Sequence, residues 1–273
     1  MSLLYQFDAP DADLILVSNS PDATEFRVHS CILSAASPFF KDMFSLPQPS
    51  SPLPVSVIPV SELRSTLDSL LRFVYPIPDP PLPTLDALNP VLGAAIKYDF
   101  TAVINTLRNL LISPAFLHSS PSRVYAIACR YDLPDEARIA SRHTLAINVL
   151  DSPLSDDLKY ITAHAYHRLI SLHRRRAQSA LALLKVPEEV KCMQCNGSSY
   201  GVFAPPKWWL EFERRAQEEL RVRPTTDVIF EIGFLARVAN AVGCPRCPGS
   251  ILDSYVFLEG LKKQIDELPS TVD

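Results

Sequence analysis

Residues 26–44 read FRVHSCILSAASPFFKDMF, from Phe26 to Phe44, and the fold is decided in this stretch. Thr24 to Val28 alternate in polarity, as a half-buried strand does. Ser30 then stands where it can cap a short helix, with Ile32, Leu33, Ala35 and Ala36 facing inward. Ser37-Pro38 reads as an N-cap followed by proline at the first helical position, where the missing N–H costs nothing. Phe39, Phe40, Met43 and Phe44 follow at helical spacing and give one short helix a large apolar payload.

Working outward, Asp13 to Val17 (DLILV) is a second strand. The turn formers Ser18-Asn19-Ser20-Pro21-Asp22 between the two strands predict a hairpin. Downstream, residues 46–54 are proline-rich, and 55–60 read as a short edge strand because Pro59 cannot donate. Ser61 is expected to cap a helix with Leu63, Leu67, Leu70, Leu71, Val74 and Tyr75 on its buried side. Two more helices, 88–98 and 101–111, flank a turn at Asp99-Phe100.

These residues carry a resemblance. Asp13 opening the first strand, His29 ending the second, then Leu33, Ser37, Phe40, Met43 and Phe44 at fixed spacing resemble the opening of a BTB/POZ domain. The run LGAAIKYDF at 92–100 is similar to that family's alanine–lysine–tyrosine helix. The resemblance implies an α+β, mostly helical protein whose first domain, residues 8–116, has the BTB/POZ fold, a small sheet flanked by helices. It also implies a protein–protein recognition module, often dimeric. Such modules serve as adaptors for cullin-type ubiquitin ligases or as transcription-related scaffolds. Asp13, His29, Phe39, Phe40, Met43 and Phe44 are its signature and partner-binding residues. A cullin would meet the face carried by 39–44 and the helices after Val60. Self-association in the family uses a segment before the first strand, for which only residues 1–12 are available.

Composition narrows the class. Hydrophobic residues at 47% with 21% charged fit a folded soluble chain rather than a disordered one. A net charge of −4 gives no basis for coating nucleic acid or an anionic membrane. The 25 prolines and 7 glycines favour stiff inter-helix connections and argue against a glycine-rich phosphate loop. The first ten residues lack a basic start and an apolar core, so no secretory signal is expected. No apolar run reaches the ~20 residues a bilayer needs. The expected setting is intracellular, cytoplasm or nucleus, with the thiols reduced.

Residues 117–186 read as an all-α extension, similar in placement to the BACK-like helices that follow many BTB domains. Helices are expected over 121–131 and 137–149, then one long helix from Ser155 to about Lys185. Its buried stripe would be Leu158, Ile161, Ala165, Leu169 and Leu172, with Arg174-Arg175-Arg176 as a solvated end. Residues 187–273 form the third expected domain. One helix opens at Pro205-Pro206-Lys207 and buries Trp209, Phe212, Ala216 and Leu220, with Trp208 partly exposed. A second covers 226–242, and a last one follows Ser250, with Asp253 as its capping-box partner.

The chemistry lies in two C-x-x-C pairs, Cys192/Cys195 and Cys244/Cys247. Two such pairs complete a tetrahedral four-thiolate shell for one structural Zn²⁺. Gly197 and Gly249, each two residues past a pair, are read as turns that aim backbone amides at the sulfurs. The 48 intervening residues add little closure entropy, which grows only logarithmically. A catalytic zinc would need an open fourth position. Redox thiols, including a 192–195 disulfide, are the alternative. Zinc-dependent DNA binding is another, but residues 185–273 carry 11 Lys and Arg against 13 Asp and Glu, a poor phosphate-binding footprint. Cys31 and Cys129 read as buried small hydrophobes, and His164 and His167 as exposed helix residues. Asp13 and His29 read as a fold-fixing hydrogen bond rather than an acid–base pair. The whole is a non-enzymatic interaction protein whose partners are other proteins, itself or a cullin.

Overall fold

The computed structural model describes residues 6–19, 23–46, 55–196 and 204–272. The hairpin turn at 20–22, the proline-rich loop at 47–54 and Gly197 lie outside the described residues. Helix makes up 59% of the described residues, which also contain one three-stranded sheet, so the architecture is α+β and mostly helical as expected. The chain divides into two compact units, residues 1–120 and 121–273.

In the first unit, β1 (Leu14–Val17) is the central strand, flanked by β2 (Glu25–Val28) and β3 (Ser56–Pro59). β1 is buried over the consecutive residues Leu14, Ile15 and Leu16, so both of its faces are shielded from solvent, and its sequence is accordingly a continuous apolar run. β2 alternates exposed and buried residues. It pairs antiparallel with β1 in the register Leu14↔Val28, while β3 runs parallel to β1 with Leu14↔Ser56. β3 is an edge strand, which is why Pro59 is tolerated there.

Six helices follow the sheet's logic: α1 (Ser30–Ala36), α2 (Pro38–Ser45), α3 (Arg64–Val74), α4 (Leu85–Lys97), α5 (Thr101–Leu111) and α6 (Pro114–Ser119). Several local readings need correcting. Ser30 is the first residue inside α1, not its cap, and His29 holds the cap position. Only Leu33 of α1 is fully buried; Ala35 and Cys31 are exposed, because a seven-residue helix turns just one narrow side to the core. Ser61 does not cap α3. The cap position falls on the exposed Leu63, and the Ser61 hydroxyl accepts from Lys97 Nζ instead. Ser37 does what its sequence context says. Its Oγ accepts from the Phe40 amide at 3.1 Å and donates to the Tyr98 carbonyl at 2.6 Å. Thus α2 is fixed to the end of α4.

The second unit begins with the hairpin of α7 (Pro121–Arg130) and α8 (Pro134–Thr144). Both this hairpin and the α4–α5 pair turn on an aspartate in the left-handed region, Asp132 at φ 53° and Asp99 at φ 51°. In each, the residue after the aspartate donates back to an alanine carbonyl five residues earlier, Phe100 to Ala95 and Leu133 to Ala128. That is the Schellman closure, with Asp standing where Gly is usual.

The expected long helix from Ser155 is two elements. A 3₁₀ turn covers Asp156–Tyr160, and α9 (Ala163–Leu183) starts afresh with Thr162 accepting from the Ala165 amide. The separation has a cause. Asp157 is drawn to Arg123 Nε at 2.6 Å, which pins the chain to α7 before the helix can continue. Tyr125 then donates to the Ala165 carbonyl at 2.7 Å and ties α7 to α9. Leu169 and Leu172 are buried as expected, whereas Leu158, Ile161 and Ala165 are only half-buried.

Arg176 is not part of a solvated end. It is 5% exposed, and its guanidinium donates to the carbonyls of Pro224 at 2.8 Å, Ile265 at 2.9 Å, Pro269 at 3.2 Å and Leu268. Arg174 and Arg175 are exposed. α10 (Lys207–Val222) packs on α9 and buries Trp208 as completely as Trp209, against the expectation of one exposed indole. The reason is the Trp208 Nε1–H, which has a buried acceptor in Ser250 Oγ at 2.8 Å.

The helix expected over 226–242 is shorter, α11 (Ile232–Ala241), because Thr226 is held in a turn by Asp266 at 2.6 Å. Ser250 lies inside α12 (Cys247–Asp253) rather than capping the last helix, α13 (Tyr255–Asp266). Among the described residues no helix is long and apolar enough to cross a membrane.

Candidate functional sites

In the first unit, the signature residues separate into two groups. Asp13, at the mouth of β1, accepts from the Ser30 amide at 2.7 Å and the Ser30 hydroxyl at 2.5 Å. It thereby caps α1 from across the hairpin, the task the sequence assigned to Ser30 itself. Burial alone would raise its pKa, but these Ser30 bonds outweigh it and hold the carboxyl below its ordinary value. The His29 amide donates to Tyr75 Oη at 2.8 Å. The ring meets that same oxygen through Nδ1 at 3.1 Å and Asp11 through Nε2 at 3.3 Å. The expected Asp13–His29 bond is therefore two separate anchors. With the imidazole turned to Tyr75 and Asp11, carboxylate, hydroxyl and ring do not align as a proton relay.

Phe40 is buried among Phe39, Phe44, Tyr98 and Phe100, with ring centroids 5.4 to 5.8 Å away. It roots α2. Phe39 is 42% exposed and lies 5.5 Å from the Tyr98 ring, Met43 and Phe44 are half-buried, and Leu46 is 62% exposed. Residues 39 and 43 share one side of the helix and the exposed Leu46 follows at its C-terminal cap, so α2 and its cap show solvent an apolar stripe. Beside it is a polar cluster that sequence reading missed. Lys97 Nζ meets Glu62 Oε1 at 2.9 Å and Ser61 Oγ at 2.6 Å, and Tyr98 Oη donates to Glu62. Burial and the Glu62 carboxylate push the Tyr98 hydroxyl upward, while for Glu62 the Lys97 and Tyr98 hydrogen bonds overcome burial and lower the carboxyl. Tyr98 stays a neutral donor and Glu62 an anion, so Phe39 is braced by a charged, fully engaged neighbour set.

In the second unit, Cys192, Cys195, Cys244 and Cys247 bring all four sulfurs within 4.8 Å of one another. Across the pairs, Cys192 and Cys244 sulfurs are 3.8 Å apart and those of Cys195 and Cys247 3.5 Å apart. A tetrahedron with zinc–sulfur bonds of ~2.3 Å has sulfurs about 3.8 Å apart. The four side chains fit a tetrahedral metal. The two knuckles are supported from outside themselves. The Lys207 amide donates to Cys195 Sγ at 3.4 Å, placing the first turn of α10 over the cluster. Asn196 accepts from the Cys192 amide at 2.6 Å, and Ser250 Oγ donates to the Lys191 carbonyl at 2.8 Å. A sulfur-directed amide at Cys195 therefore comes from α10, and Gly249 is helical rather than a turn. Gly243, at φ 63°, is the glycine whose backbone conformation the second knuckle needs.

Burial pushes the Cys195 and Cys247 thiols up. Burial also opposes ionisation of Cys244, but the Arg246 amide and the other three thiols bring it down to about 7. Without a cation the cluster thus favours few thiolates at once. A divalent ion reverses that preference, since coordination deprotonates thiols outright. Three of the four sulfur-bearing residues are buried and all four cysteines are committed to the cluster, a closed shell in character. Elsewhere, Cys31 is exposed and Cys129 half-buried, correcting the expectation that both are core residues, and His164 and His167 are exposed.

Comparison with known proteins bears on the first unit. Residues 6–114 match the family model of the BTB/POZ domain, so this part of the chain is a BTB/POZ domain, and such domains are protein–protein interaction modules. No curated protein matches the chain.

Proposed function

We infer that the BTB/POZ domain of residues 6–114 docks a partner through the exposed side of α2, making this chain a non-enzymatic, intracellular interaction protein. The partner best suited is a cullin of a ubiquitin ligase, with a transcription scaffold as the other role the family offers. The observation that carries this reading is the α2 stripe. Phe40 is buried and fixes the helix, while Phe39 and Leu46 are exposed and Met43 completes the row. An aromatic held rigidly in a surface stripe is the type of residue that dominates interface energetics. Phe39 loses little rotational freedom on binding, because Phe40 and Tyr98 already hold its ring on two sides.

The test is calorimetric titration of the purified full chain with a purified cullin N-terminal region. Phe39→Ala should weaken binding at least tenfold, since central aromatic anchors are worth roughly 2 kcal/mol or more and 1.4 kcal/mol is tenfold. A wild-type chain that gives no heat with the cullin removes the adaptor reading and leaves the scaffold. In the second unit, Cys192, Cys195, Cys244 and Cys247 would hold one structural Zn²⁺. This ion's contribution would be to fasten the knuckles to α10 and α12, not to bind substrate.

A further inference from the structure

We propose that the groove along α9 in the second unit is a docking site for an acidic peptide segment carrying large apolar side chains, supplied by a partner protein. This goes beyond the BTB reading and does not depend on it.

The groove has a volume of about 540 Å³. Its floor is one side of α9, with Ile170, Ala177 and Leu181 at helical spacing. One wall is the loop after α8, through Val149 and Leu150, and the other is the last turn of α10, through Val222. Leu150 is 73% exposed and Val222 40% exposed. Large apolar residues facing each other across a concave surface without covering one another mark a binding groove rather than ordinary surface scatter.

Charge identifies the occupant. The groove's ionised side chains are Arg174, Arg221 and Asp151. Asp151 is engaged by the Asn148 amide at 2.5 Å. Arg174 and Arg221 form no ion pair among the described residues, while Arg214 and Arg215 of α10 and Arg223 at its C-terminal cap are each held by a glutamate. His173 also lines the groove, but its imidazole meets Thr144 Oγ1 at 3.0 Å, and burial keeps it neutral at ordinary pH. Two unpaired guanidinium groups therefore flank an apolar trough in a chain whose net charge is −4. Carboxylates are the complementary groups, and guanidinium can take them in a two-point, directional manner. An apolar side chain would fill the trough while acidic neighbours meet the rim, and the rim charges would set selectivity and association rate more than affinity.

The probe is a random dodecamer library displayed on phage, selected on the purified full chain. Selected sequences should combine Leu, Ile, Phe or Met with Asp or Glu. A synthetic peptide of the enriched pattern should bind at least tenfold more weakly to the Arg174→Glu/Arg221→Glu variant and to Leu150→Asp. All three positions are exposed, so both variants should melt as wild type does, and this is checked first by circular dichroism. Swapping the peptide's acids for lysine should abolish binding. Enrichment of neutral or basic sequences, no enrichment, or equal binding to both variants overturns the proposal. Sedimentation of the chain alone supplies the remaining arm. Self-association that Leu150→Asp abolishes would assign the groove to a second copy and likewise overturn the peptide reading.

Discussion

The most demanding test of the second unit is Arg176→Met. The substitution keeps the apolar stem of the side chain, shortens it by the guanidinium head and removes every donor. In the folded unit the guanidinium serves the Pro224 and Ile265 carbonyls, both in buried settings, and those of Leu268 and Pro269 nearer the surface. The latter two can return to water. Ile265 keeps a partner in the Leu268 amide at 3.2 Å. Among the described bonds the Pro224 carbonyl relies on Arg176, so it bears the full cost of an unmet buried acceptor, about 1–3 kcal/mol. The lost charge-assisted bonds to Ile265 and the tail add roughly 1.5–3 kcal/mol. Against this, the guanidinium no longer needs to be desolvated, a cost visible in the downward push on its pKa, which burial causes. The net expectation is a loss of about 3 kcal/mol.

The chain provides its own reporter. Its two tryptophans, Trp208 and Trp209, are both buried in this unit, so tryptophan emission, excited selectively over tyrosine, follows the second unit alone during urea unfolding. Arg176→Met should lower the midpoint with an unchanged slope, and lower the melting temperature by about 6–12 °C at ~2–4 °C per kcal/mol for this size. Arg176→Lys should recover little, because a single ammonium cannot span carbonyls from three segments. A loss below about 1 kcal/mol for Arg176→Met would refute the reasoning and show that the desolvation cost had cancelled the bonds.

Other outcomes follow from the same geometry. Purified protein should contain one zinc per chain, and changing all four cluster cysteines to serine should release it and expose Trp208, read as a red shift in emission. Metal-free protein with native fluorescence would argue for redox thiols instead. Burial lowers the His173 pKa to about 4 from 6.5. The fold favours its neutral form, so this stabilisation is complete above pH 6.5 and lost as pH falls toward 4. The loss is at most about 3 kcal/mol at 1.36 kcal/mol per unit, and His173→Gln should flatten the dependence in urea titrations between those pH values. In the first unit, Asp13→Ala removes the cross-hairpin cap of α1 and should cost about 1 kcal/mol, seen as a lower first transition in calorimetry. Ser37→Ala strands the buried Phe40 amide and frees the Tyr98 carbonyl, so a loss of about 2 kcal/mol is expected in the same transition.

The first unit was readable because its determinants are local. Strand alternation, Ser37-Pro38 and the YDF corner each act within a few residues, and the sheet and α2 lie where those signals put them. What failed there were the caps. Ser30 and Ser61 look like N-caps in sequence, yet Asp13 and Lys97 claim them from 17 and 36 residues away. The cysteine pairs were likewise legible, since two C-x-x-C turns announce themselves. The amide that supports Cys195 was not, because it arrives from α10, 12 residues beyond that cysteine.

The second unit was misread for a related reason. Leu169, Leu172, Arg176 and Ala180 lie on one buried stripe of α9, so helical spacing pointed to burial at 176 and the residue type was allowed to overrule it. The same inversion recurs at Ser250, which serves Lys191 and Trp208, and at Thr226, which serves Asp266. Arg176 and Ser250 share a task. The segments around Pro224, Leu268 and Lys191 are irregular, so their carbonyls have no ladder or helix to accept from. Donors must come from neighbouring helices, at positions that would otherwise be apolar. A unit with this much irregular backbone between helices therefore requires polar residues on its buried stripes, and those are the positions that periodicity identifies and hydrophobicity conceals.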